Sequence, residues 1–173
     1  MATYTAAAWK AAENRLGQTA LDTVDTAAAV PVGTVIRAVS PTYGQGEFIY
    51  LKGVASVVAG DCVTYDGAFQ TVRAAAGNAL PRPVAFALAA VVASRWGWFQ
   101  IGGYAIGNKT KTVSMGVGIA VGVSTTALIA ASSSLKEMQG AMVAAVGSNG
   151  TTTDSADKIR LMLNRPHLQG RIT

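Results

Sequence analysis

The run VSMGVGIAVGVSTTALIAA, residues 113–131, limits what this chain can fold into more than any other stretch. Val113, Met115, Val117, Ile119, Val121 and Val123 take every second position, and Ser114, Gly116, Gly118, Ala120 and Gly122 fill the gaps. Successive side chains of a strand point to opposite faces, so a period of two rich in β-branched residues predicts a strand with one buried face. The same run carries no charge and holds the Gly118–Gly122 spacing of a helix-dimer motif, which makes a membrane-spanning helix the competing reading. The period argues against the helix, and no membrane partner is expected.

Short strands and turns continue through the chain from Val32. VGTVIRAV alternates, PTYGQG reads as a loop, and EFIYLKGVASVV reads as one long apolar strand or a pair. In VTYDGAFQTV, Asp66 and Gly67 suit a two-residue type I′ turn that pairs Tyr65 with Ala68 and Thr64 with Phe69. The loop AAAGNALPRP leads to the strand VAFAL, and AAVVASR is a connection with room for one helical turn. In WGWFQIGGYAIG a strand places Trp96, Trp98 and Gln100 on one face and Phe99 and Ile101 on the other, so both faces are expected to be covered. Gly97, Gly102 and Gly103 there admit a bulge or the close approach of another backbone. LKEMQGAMVAAVG, the turn SNG and the polar loop TTTDSAD lead to KIRLMLN, where Ile159, Leu161 and Leu163 alternate, and RPHLQGRIT reads as an extended basic tail.

Many short strands at turn-spaced intervals predict a mainly β fold, a jelly-roll-like β-sandwich or barrel over residues 32–173. Residues 1–31, rich in Ala and Thr, read as an extended N-terminal arm with a short helix around AAAWKAAENRL, anchored through Tyr4, Trp9 and Leu16.

Only 13% of the residues are charged while 50% are apolar, against about 25% charged in an ordinary soluble domain. Part of the uncharged surface is therefore expected to lie under another molecule. The net charge of +5 comes from scattered basic residues without interleaved aromatics, so direct nucleic-acid binding is not expected. Cys62 is alone, which excludes an internal disulfide, and it reads as a small strand residue. His167 is the sole histidine, so a histidine metal cluster is excluded, and no G-x-S-x-G elbow supports a hydrolytic triad.

Gly116, Gly118 and Gly122 loosely match a dinucleotide fingerprint, yet alternation runs straight through them where a helix would have to begin. Asp61 and Asp66 sit in turn signals and read as turn formers rather than paired catalytic acids. Trp96 and Trp98 could form a sugar platform, but no cluster of Asp, Asn and Arg flanks them. The N-terminus lacks the apolar run of a secretory signal, so the sequons at Asn108 and Asn149 read as chance matches. Neither catalysis, cofactor nor metal is expected.

Residues 32–67, VGTVIRAVSPTYGQGEFIYLKGVASVVAGDCVTYDG, resemble the decoration, or cement, proteins of tailed-bacteriophage capsids. The likeness continues in PVAFALAAVVASRWGWFQIGGYAIG, residues 83–107, where a strand, an Ala-rich link, the GWFQ strand and the following glycine recur in such proteins. The resemblance implies a small β-rich virion protein, made in the bacterial host cytoplasm and seated on the outer capsid surface. It implies a homo-oligomer, trimer favoured over dimer, that binds the major capsid protein where coat subunits meet and clamps the shell against packaged DNA. Tyr4, Trp9, Leu16, Trp96 and Trp98 are its expected capsid or subunit contacts, with Arg165 and Arg171 adding polar contacts from the tail. Rings beside glycine supply rigid contact area and let a second backbone come close, and the glycine face of residues 114–122 offers the same. A head-fibre base or tail-associated β module is the alternative virion part, and a glycan-binding or hydrolytic β protein is the alternative of another class.

Overall fold

The computed structural model describes residues 20–40, 43–75, 81–110, 115–124, 127–131, 137–144 and 157–169, together with the backbone of 10–11. Among them every regular element is a strand: β1 (Lys10–Ala11), β2 (Val24–Asp25), β3 (Val35–Ser40), β4 (Gly44–Lys52), β5 (Cys62–Tyr65), β6 (Thr71–Arg73), β7 (Val84–Ala87), β8 (Trp96–Asn108), β9 (Ala120–Val123), β10 (Ile129–Ala131), β11 (Glu137–Val143) and β12 (Lys158–Leu168). They form one curled antiparallel sheet, a half-barrel, in the order β1-β3-β4-β8-β12-β11-β9-β10, with β2 and β7 on β8, and β5 between β7 and β6. The mainly β expectation holds.

β8 is the hub. Its first half pairs with β4 from Trp96↔Lys52 to Gly103↔Gly46, and its second half pairs with β12 from Gly102↔Asn164 to Asn108↔Lys158. β2 meets it at Trp96 and Gly97, and β7 at Phe99 and Gln100. Glu47 opposes Gly102 while Phe48 opposes Gln100, so Ile101 is the extra residue of a β-bulge. The bulge demands glycine at 103, where φ is +81° and a Cβ would lie 2.1 Å from the Gln45 carbonyl oxygen. Gln100 serves the same bulge from within the strand: its Nε2 donates to the carbonyl oxygens of Gly102 (3.0 Å) and Tyr104 (2.7 Å). This is the irregularity that the glycine doublet predicts.

The near-continuous apolar run of β4 follows from cover on both faces. On one side Phe48, Tyr50 and Trp98 pack under Leu21, Val30 and Val32. On the other, Ile49, Leu51, Phe99 and Ile101 pack under Val57, Val63, Ala85, Ala87 and Val91. A third cluster, with Phe86, Ile129, Met138, Ile159, Leu161 and Leu163, fills the far part of the curl. The alternation read in KIRLMLN thus points inward as expected.

Residues 20–31, the described part of the expected arm, form a strap on this sheet. Leu21 is buried, β2 pairs with β8, Tyr50 Oη donates to Asp25 Oδ2 at 2.5 Å, and the Ala29 amide donates to Tyr50 Oη at 3.1 Å. The short helix expected around residues 6–16 falls mostly outside the described residues. Within it Lys10 and Ala11 are extended and pair with Val39 and Ala38.

Four local expectations are corrected. The Asp66–Gly67 hairpin exists, but its loop is Gly67-Ala68-Phe69, with Tyr65 opposite Thr71 and Thr64 opposite Val72. Asp66 Oδ1 accepts from the amides of Ala68 and Gln70, and Phe69 takes the left-handed conformation (φ 58°), its ring filling the space over Gly33; this is a type I turn closed by a bulge. The run 113–131 is not one strand: Gly118 (φ +78°) turns the chain, so β9 begins only at Ala120 and β10 follows separately. Residues 165–168 are not tail but the continuation of β12, which bends where Gly140 (φ +76°) of β11 lies against the Asn164 carbonyl. The link 89–95 holds a bend and a turn and no helical turn.

Candidate contact surfaces

Tyr4, Trp9, Leu16 and Arg171 lie outside the described residues. Trp98 is buried within the chain itself: it is 2% exposed, and its ring meets that of Tyr50 edge-on at 5.0 Å and 60°. A side chain already covered by its own strap has no area left to share, so the expected contact at Trp98 is replaced by core packing. Trp96 is half-buried at the start of β8, with Lys52 Nζ 6.0 Å from its ring centre. The glycine face expected of residues 114–122 is divided, with Gly116 and Gly118 in the exposed turn and Gly122 buried in β9.

Arg165 is exposed and well placed. The bend of β12 (φ 44° at Arg165) brings its Nε to Glu47 Oε2 at 3.0 Å, across 118 residues of chain, while Arg37 Nε donates to Glu47 Oε1 at 3.1 Å. The Arg165 hydrogen bond, helped by Arg37 and opposed by partial burial, holds the Glu47 carboxyl below its usual range. Both guanidinium groups stay largely in solvent, at 74% exposure for Arg37 and 65% for Arg165. Between them opens a groove of 470 Å³ floored by Gly102, Gly103, Leu163 and Asn164. Arg37 and Glu47 are direct cross-strand partners in the β3–β4 ladder, a pairing that opposite charges flanking a hairpin could have signalled.

A row of apolar side chains runs beside this groove. Tyr104 opposes Met162, Met162 opposes Met142, and Met142 opposes Ala120, so the row crosses β8, β12, β11 and β9 on one face. Gly102 and Asn164, which line the groove, oppose each other one same-face step along β8 and β12. Val117 and Ile119 lie in the turn before β9, tied to β11 by the Gly118 amide on Val143 O (2.8 Å) and the Val143 amide on Ile119 O (3.0 Å). Expected inside, Val117 and Ile119 are instead 50% and 44% exposed, because the Gly118 turn lifts them off the sheet. Met142 is 49% exposed.

Burial, with the Asp61 charge behind it, pushes the Cys62 thiol far up, so it is no nucleophile at neutral pH. His167 is an exposed position of β12 opposite Gln139. Among the described residues no three His, Cys, Asp or Glu side chains converge as a metal site, and no helix is long and apolar enough to cross a membrane. No family model, curated protein or solved structure matches the chain.

Proposed function

We propose that this protein is a non-enzymatic capsid decoration protein of a tailed bacteriophage, a homo-oligomer that seats on the outer surface of the shell and clamps major capsid protein subunits together. The observation that carries the reading is the row Tyr104–Met162–Met142, bordered by the Arg37–Glu47–Arg165 cluster, together with the exposed Val117 and Ile119 of the turn before β9. An apolar centre beside exposed arginines is the composition of a protein contact surface. The two segments that resemble decoration proteins contribute β3, β4 and β5 and then β7 and β8, the strands around the hub.

Covering apolar surface is worth about 25 cal/mol per Å², so a few hundred Å² per contact gives several kcal/mol before ordering costs. Repetition over a closed shell multiplies that gain through avidity. Cosedimentation with undecorated phage shells tests the reading, with the double variant Ile119→Lys, Met142→Lys as control. The wild type pellets with shells; the variant melts at the same temperature and stays in the supernatant. A wild type that ignores shells refutes the function, and a variant that binds as tightly as wild type removes the row from it.

A further inference from the structure

We infer that Lys158 and Asn108 become joined by an intramolecular isopeptide bond, assembled by the buried carboxylate of Asp61. Asn108 ends β8, Lys158 begins β12, and the two are directly opposed in the ladder. The Asn108 side chain is 8% exposed and its orientation is determined by its partners: Nδ2 donates to Asp61 Oδ1 at 2.8 Å and to the Ala59 carbonyl at 3.1 Å. Its Oδ1 is thereby turned to Lys158, whose Nζ lies in direct contact with it and 3.5 Å from Ala59 O.

Asp61 is 1% exposed, and its second oxygen is already engaged. Arg73 donates to Oδ2 through Nη2 (3.0 Å) and Nε (3.1 Å), and the Val58 amide adds a third bond at 3.2 Å. Oδ1 is thus held on the carboxamide nitrogen. Gly60 (φ +88°) completes the seat, since a Cβ there would stand 2.8 Å from Asn108 Oδ1. An amine on a carboxamide, with a shielded carboxylate on the nitrogen that must leave, is the constellation for amide exchange: nucleophile, electrophile and proton relay are placed together before reaction.

The step balances without oxidant or reductant. The Lys158 ammonium gives one proton to Asn108 Oδ1, which it touches, and Nζ bonds to Asn108 Cγ; with both nitrogens now on that carbon, this proton and a second from Nζ pass by way of Asp61 Oδ1 to Nδ2, the Cγ–Nδ2 bond breaks, and ammonium departs. The product links residues 50 apart in sequence. It staples the start of β12 to the end of β8, removing freedom from the unfolded chain as any cross-link does. The inference does not depend on the proposed capsid role.

Intact-mass spectrometry of the denatured full chain tests it. The expected mass is one ammonia below that of the sequence, with fragmentation showing the peptides of Asn108 and Lys158 joined. Lys158→Arg keeps the cation and folds but has no amine to acylate, and Asp61→Asn removes the relay; both are expected at their full sequence mass. A folded wild-type chain that stays at full mass after prolonged incubation at neutral pH overturns the inference. So does an ammonia deficit with the two residues in separate peptides.

Discussion

Tyr50→Phe tests whether residues 20–31 are a strap or merely a neighbour. The substitution removes only the hydroxyl that donates to Asp25 at 2.5 Å and accepts from the Ala29 amide at 3.1 Å. A hydrogen bond to a carboxylate contributes about 1.5–3 kcal/mol, so the variant is expected to lose about 2 kcal/mol at pH 8. The pH dependence gives a second handle. Burial first, then the Asp25 bond, pushes the Tyr50 hydroxyl up from 10.0 to about 12. Between pH 10 and 12 the folded protein therefore keeps a proton that the unfolded chain has lost, and stability falls as pH rises. A shift of that size corresponds to about 2–3 kcal/mol, fully present below pH 10 and gone above 12. Urea denaturation from pH 8 to 12, followed by tryptophan emission since Trp98 packs against Tyr50, should show the variant less stable at pH 8 and the gap closing toward pH 12. Tyr65, also raised by burial, contributes equally to both proteins and cancels in the difference. Equal stability at pH 8 with parallel profiles would refute the clasp.

Gly103→Ala sets a side chain against the Gln45 carbonyl in a left-handed backbone, and should lower stability by about 3 kcal/mol or more in thermal melts. An undiminished melting temperature would mean that the bulge is not needed. Glu47→Gln should change stability little at pH 7, by about 1 kcal/mol or less for the exposed Arg37 pair. Because the Glu47 carboxyl is held below 4.5, its stabilisation is present above that value and lost as pH falls through the folded value, so the variant should show a shallower acid limb in melting temperature.

The strands were legible because they rest on local chemistry. Side-chain alternation in KIRLMLN reports a pleat whatever the strand packs against, and the doublet Gly102–Gly103 reports a backbone that L side chains cannot follow. The Asp66 turn was legible as a turn, but not its length. What settled the three-residue loop was Phe69 packing against Gly33, a residue 36 positions away.

The contact surfaces were not legible in the same way. Val117, Ile119, Val121 and Val123 belong to one stripe in the sequence, yet the first two are exposed and the last two buried. The groove needs Arg165 and Glu47 to meet across 118 residues, and the buried centre needs Asp61, Asn108 and Lys158 to meet at the ends of three chain segments. By itself, then, the sequence determined that the chain forms short strands, where its backbone must bend, and how few of its residues carry charge. Only the tertiary structure decided which apolar face is covered by the chain's own strap and which is left bare. A side-chain period specifies a face, whereas cover depends on which distant segments the curl of the sheet brings over it.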